Sequence, residues 1–386
     1  MKFNLFHLMP YPYLPEEYDD FPVSALIWPN KHFDPKLGHE LYHRYLDELE
    51  LGDQLGFDGI AVNEHHQTLY GLMPSPNLMV AALARRTTQA KIMVLGNQIA
   101  LRKYPIRIAE EIAMLDHLTD GRLVSGFVRG IGWEYFNQNI SPSQSRARFN
   151  EAHDLIIKAW TSEEVFEWVS EHFEFRYVNI WPRPLQEPHP QVYVPGTGSK
   201  ETMAFCARHR YPYSAVFAPT KAVKRWFDTY REACEEEGYK ADPESIGFTV
   251  PIYVADTDAE AHEKAKAHVE WLFHKGLKLE MPSILNPPGY VSPASLEGLL
   301  RAGVKAFQEV SYEELVDLGY VLVGSPETLV DKIEDLRGEM GFGSLSALMS
   351  IGDMSHEETV RSMRLFAEQV MPKFREPAAV SGGVAG

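Results

Sequence analysis

Three short stretches of this 386-residue chain combine residue types that do chemistry. The first is Asn63-Glu64-His65-His66, which follows the apolar run Gly59-Ile60-Ala61-Val62. An imidazole at the end of a strand can exchange protons near neutral pH, with His65 and His66 as the candidates and Glu64 as an orienting partner. The second is Gly126-Phe127-Val128-Arg129-Gly130-Ile131-Gly132-Trp133-Glu134-Tyr135. Its small residues let backbone approach a ligand, and Arg129 between them suits a paired contact with phosphate. The third, Val194-Pro195-Gly196-Thr197-Gly198-Ser199-Lys200-Glu201-Thr202, opens a helix with hydroxyls beside unpaired amides, which also suits phosphate. Neither glycine stretch is a dinucleotide fingerprint, because Tyr135 and Glu201 stand where GxGxxG needs its last glycine. Two anion-seeking turns together point to a phosphorylated cofactor.

A fourth motif competes with these. His39-Glu40-Leu41-Tyr42-His43 matches the HExxH of zinc peptidases, with Glu64 as a conceivable third ligand. The segment opens a helix that runs on through Leu46, Leu49 and Leu55, whereas Glu64 sits on a strand end rather than on the second helix such a site uses. A solvated helix face is the favoured reading, and no metal is expected.

The elements that must position these residues alternate between short apolar runs and amphipathic helical patterns, the signature of a parallel sheet covered by helices. Strands are expected at 2–8, 58–64, 91–99, 122–128, 191–195, 213–217, 246–255 and 345–351, with helices at 77–88, 105–118, 143–160, 199–209, 220–237, 257–276 and 355–374. Eight strand–helix units indicate an α/β fold of the (β/α)8 TIM-barrel type over residues 1–375, with a doubly wound open sheet as the structural alternative. Barrel active sites lie at the C-terminal ends of the strands, where all three motifs fall. Residues 9–35, rich in proline and aromatics, follow the first strand and form a lid candidate; Tyr11, Tyr13, Trp28 and Trp133 are the aromatic groups expected to line a pocket. Residues 165–181 read as an inserted strand pair, 277–320 as a proline-broken excursion, and 376–386 as a flexible tail.

Composition narrows the function classes. The net charge of −17 speaks against a nucleic-acid or anionic-membrane binder, which needs a basic surface. With 45% hydrophobic residues the chain can build a large core, and two cysteines cannot make a disulfide framework. The opening residues carry too short an apolar run for a signal peptide and no stretch is long enough to span a membrane, so a cytoplasmic protein is expected.

Taken in order, Val62-Asn63-Glu64-His65-His66, Pro105-Ile106-Arg107-Ile108-Ala109-Glu110-Glu111-Ile112-Ala113-Met114-Leu115-Asp116, Gly121-Arg122 and Gly126-Phe127-Val128-Arg129-Gly130 resemble the bacterial luciferase-like family of flavin-dependent monooxygenases on an α/β barrel. The resemblance covers roughly 1–275 and 321–374 and is weak over 277–320. It implies that Arg129 holds an FMN phosphate, that Thr197, Gly198 and Ser199 wrap it, and that His65 acts near the reactive edge of the flavin. It also implies that Asn97 and Gln98 support the ring, where the family has a non-proline cis peptide. Glu64, His66, Tyr11, Trp28 and Trp133 fall to the substrate pocket. The family's reactive cysteine position is Val128 here, which argues against light emission. The expected activity is a two-component monooxygenase that receives reduced FMN from a separate flavin reductase and inserts one atom of O2 into a small organic substrate. The alternatives are hydride transfer with the deazaflavin F420 and the zinc peptidase. A homodimer is expected by analogy with related barrels.

Overall fold

The computed structural model describes residues 1–21, 27–278, 286–291 and 306–375. The tail 376–386, part of the 9–35 loop and much of the 277–320 excursion lie outside the described residues.

Eight parallel strands close into a barrel: β1 (Lys2–Phe6), β2 (Gly59–Val62), β3 (Lys91–Gln98), β4 (Leu123–Val128), β7 (Gln191–Gly196), β8 (Tyr213–Val216), β9 (Ile246–Val254) and β11 (Ser344–Leu348), numbered with β5, β6 and β10 introduced below. Each pairs with its neighbour in that order, and β11 pairs with β1 to complete the ring. The strands read as continuous apolar runs because both faces are buried. Phe6, Met93, Leu95, Val124 and Leu348 fill the inside, and Leu5, Ile60, Ile92, Val94 and Phe127 face the helices. All eight expected strands are present.

The inserted pair is also present, as antiparallel strands β5 (Phe166–Val169) and β6 (Glu174–Val178). One strand departs from expectation: β10 (Leu322–Gly324) pairs with Ile252–Val254, the far half of β9. At three residues it is too short to show a period, and it adds to the ring from outside.

Strands β3 and β4 approach unusually closely. Their register shifts between Val94 and Asn97, a Cβ on Gly96 would stand 2.5 Å from the Gly126 carbonyl carbon, and a Cβ on Gly126 would overlap the Val94 carbonyl oxygen. The non-proline cis peptide is Leu95–Gly96, upstream of the Asn97-Gln98 position expected for it.

A buried charge network ties the first strand to the outer helices. Glu48, on the helix Pro35–Gln54, is 0% exposed and accepts hydrogen bonds from His7 Nε2 at 2.9 Å, Arg44 Nε at 2.7 Å and His356 Nδ1 at 2.9 Å. Burial alone would push the Glu48 carboxyl up, but His356, His7 and Arg44 together hold it at about 2. The Glu48 hydrogen bond correspondingly raises His356 above its ordinary value of 6.5. A depressed carboxyl stabilises the fold above its ordinary value of 4.5 and loses that contribution as pH falls toward about 2. A raised histidine stabilises below 6.5 and loses its contribution as pH climbs through the folded value. Glu48→Gln is therefore expected to lower the melting temperature most between these limits. A melting-temperature difference from the native chain that stays constant from pH 3 to pH 8 would remove the network from the stability of the fold.

Candidate active site

The strand β2 delivers Glu64, His65 and His66 to the C-terminal rim of the barrel, where Glu64 is the hub. His66 Nε2 and Arg102 Nη2 each donate to Glu64 Oε1 at 2.6 Å, and the Gln98 amide donates to Oε2 at 3.1 Å. The Gln98 side chain returns a bond from Nε2 to the Glu64 carbonyl at 2.9 Å. Buried at 2% exposure, Glu64 accepts from His66, Arg102 and the Gln98 backbone amide and ties them to one carboxylate. The structure separates Asn97 from Gln98. In the β3–β4 register Asn97 stands level with Phe127, whose ring stacks on Trp160 in the helical layer, and Gln98 stands level with Val128. Gln98 joins the cluster; Asn97 is buried elsewhere, with neither side-chain amide atom partnered among the described residues.

His65 faces Tyr70, whose hydroxyl lies 3.1 Å from Nδ1, and Glu134, whose Oε1 lies 3.5 Å from the same nitrogen. Trp133 is buried against Tyr70. Glu134 and Tyr70 escaped the sequence reading. Glu134 lies inside the second motif, but His65 and His66, which give it meaning, come from the loop after β2.

The two anion-seeking turns meet. Arg129 Nη1 donates to Ser145 Oγ at 3.2 Å, and the next residue, Arg146, donates from Nη2 to Ser199 Oγ at 3.0 Å and from Nη1 to Thr202 Oγ1 at 3.3 Å. Ser199 caps the helix Lys200–His209, Gly198 beside it adopts the left-handed φ of +91° in contact with Trp226, and Thr197 is exposed at the edge. Burial, reinforced by the positive charge of Arg129, drives Arg146 down to about 10. The hydroxyl of Ser199, followed by its own backbone amide, lowers the Glu201 carboxyl, which gives the pair one counter-charge. Two guanidiniums, a serine hydroxyl and a helix N-terminus form a donor set that fits a phosphate dianion. Arg146 was the missing member. Its signal was a cation in the first turn of the helix Ser145–Thr161, where the macrodipole disfavours positive charge. Tyr290, from the excursion, covers Arg129: its ring lies 4.5 Å from the guanidinium carbon and its carbonyl accepts from Nη1 at 3.2 Å.

Other expected site residues make their side-chain contacts elsewhere. Tyr11 is held within the 9–35 loop, its hydroxyl accepting from the Asp34 amide at 2.9 Å and its ring packed on Tyr13 and Phe33. Trp28 stacks on His32 at 4.3 Å with Tyr18 and Phe21 at its edges. Both are loop packing. His39, Glu40 and His43 occupy an exposed helix face, and no third ligand joins the two imidazoles among the described residues. Glu64 is already engaged by His66 and Arg102, so the zinc arrangement does not assemble. No helix among the described residues is long and apolar enough to cross a membrane.

The chain is similar to the oxygenase component of flavin-dependent trigonelline monooxygenase of Acinetobacter baylyi, 23% identical over 348 residues that span 89% of this chain and 92% of that protein. Among solved structures, monooxygenase RslO1 from Streptomyces bottropensis matches with a TM-score of 0.75 and 26% identity over 97% of this chain and 100% of that one. The oxygenating constituent of 3,6-diketocamphane monooxygenase from Pseudomonas putida, a structure in complex with FMN, has the same fold, with a TM-score of 0.72 and 20% identity over 98% and 100% of the two chains. The family model for luciferase-like monooxygenases matches residues 26–342, and this chain belongs to that family.

Proposed function

We propose that this protein is an FMN-dependent monooxygenase that takes reduced flavin from a separate reductase and inserts one oxygen atom into a small, apolar organic substrate. The observation that carries the reading is the bridge from Arg129 through Ser145 and Arg146 to Ser199, which gives both anion-seeking turns one focus. The relative described as an oxygenase component supports the two-component arrangement. Bound reduced FMN supplies the electrons that activate O2. Arg129, Arg146 and Ser199 would hold its phosphate, with Thr197 and Gly198 shaping the turn. Gln98 and Glu64 fix the rim, and His65 moves the proton that the oxygen transfer requires. Trp133 and Tyr70, both buried, keep water from the wall beside His65.

Anaerobic titration with reduced FMN followed by admission of air tests the reading. Saturable binding at one equivalent and reoxidation slower than that of free flavin are expected. Reoxidation at the free rate would count against it, and turnover without oxygen would move the assignment to F420-dependent hydride transfer.

We also infer a homodimer. Leu78, 66% exposed on the helix Pro76–Ala84, and Met114 and Leu118, 53% and 49% exposed on the helix Ile106–Leu118 packed beside it, are large apolar side chains left at the surface, which a two-fold contact would cover. Light scattering should give twice the chain mass, and Met114→Glu should halve it. A native chain that elutes as a monomer would remove the dimer.

A further inference from the structure

Glu134 sits where the turn after β4 meets the loop after β2. It is 0% exposed; its Oε2 accepts from the Ile131 amide at 2.7 Å within its own turn, and its Oε1 accepts from the His66 amide at 3.2 Å. Oε1 also lies 3.5 Å from His65 Nδ1, and the Tyr70 hydroxyl is 3.1 Å from that nitrogen. Burial alone would raise the Glu134 carboxyl, but His65 and the Ile131 amide hold it below its ordinary value. It is therefore an ionised acceptor at neutral pH, with no proton to give. Burial lifts Tyr70 far above its ordinary value, so the phenol keeps its proton.

A neutral imidazole carries its hydrogen on one nitrogen and a lone pair on the other. A lone pair on Nδ1 would face the carboxylate oxygens and be repelled by them. A hydrogen there is attracted to the carboxylate, and the phenol oxygen can accept the same N–H. We infer that Glu134 is a positioning residue that holds neutral His65 as the Nδ1–H tautomer and leaves Nε2 as the nitrogen that takes up a proton. When Nε2 accepts a proton from a bound reactant, the ring becomes an imidazolium whose Nδ1–H still faces Glu134. The proton then returns from Nε2, and the ring regains its starting tautomer. The tautomer is a property of the chain alone; its use in oxygen transfer rests on the function proposed above.

Long-range 1H–15N correlation spectra of the full chain labelled with 15N-histidine read the tautomer directly. His65 is identified by the signals lost in His65→Gln, and spectra are read under conditions where that ring carries a single hydrogen. The native chain should show Nδ1 as the hydrogen-bearing nitrogen. In Glu134→Gln the remaining oxygen stays with the Ile131 amide, so the side-chain NH2 turns to His65 and Nδ1 should become the bare nitrogen. Tyr70→Phe should leave the native tautomer unchanged. A bare Nδ1 in the native chain, an unchanged tautomer in Glu134→Gln, or a switch in Tyr70→Phe would overturn the inference. If Glu134→Gln does not fold, the native and Tyr70→Phe spectra decide. Failure to bind reduced FMN would sink the proposed function and leave the tautomer result standing.

Discussion

Arg129→Ala and Arg146→Ala will each weaken binding of reduced FMN by roughly 10- to 100-fold, the range set by losing a charge-assisted hydrogen bond of about 1.5–3 kcal/mol. The argument rests on geometry and charge together. Arg129 holds Ser145, the chain neighbour of Arg146, Arg146 holds Ser199, and Arg146 is held down by burial and by the charge of Arg129, a repulsion that a dianion between them would relieve. Because both face one focus, their effects should not add, and the double variant should lose less than the product of the single losses. Arg107→Ala, at an exposed ion pair on the helix Ile106–Leu118, is the control and should bind like the native chain. Anaerobic fluorescence titration measures the four variants beside the native chain. Native affinity in Arg129→Ala or Arg146→Ala would detach that residue from the site.

Gly126→Ala is expected to be the most damaging single-methyl change in the barrel. The added Cβ overlaps the Val94 carbonyl oxygen and comes within 3.2 Å of the Gly96 Cα, so the obstacle is backbone rather than a side chain that can swing away. Relief requires β3 and β4 to part in the closed ring, and a loss of roughly 3 kcal/mol or more follows, a large share of the stability of an ordinary domain. Gly338→Ala makes the matched comparison. It lies in the helix Pro326–Met340 with nothing within 4 Å of an added Cβ, so alanine should leave the melting temperature unchanged or raise it. Thermal melts of the two variants should move apart, and a Gly126→Ala protein that melts like the native chain would show that the strands can yield.

Much of the framework is legible in the sequence for a physical reason. Strands buried on both faces become apolar runs, and Ile92-Met93-Val94-Leu95 declares itself without a partner. Likewise Ser199 announces a helix start with a side chain that accepts a backbone N–H bond. What could not be read is what depends on convergence. Glu134 gains its role from Ile131, His66 and His65, which belong to two separate loops, and Arg146 gains its role from residues on both sides of it in space. Aromatic residues misled in the opposite direction: Tyr11 and Trp28 have the composition of a pocket wall and are spent holding their own loop together. The strand β10 was hidden by brevity.

That short strand has a bearing on how such a chain can diversify. Ser344–Leu348 pairs with Gly247–Pro251 directly, so the barrel wall is complete before β10 attaches to the far end of β9. Among the described residues, 306–321 join the barrel by packing, with Val310, Tyr312 and Leu315 buried against it, and supply no strand of the cylinder. Because Tyr290 reaches Arg129, changing that one residue is a route to retuning how the guanidinium is covered while the cylinder stays closed.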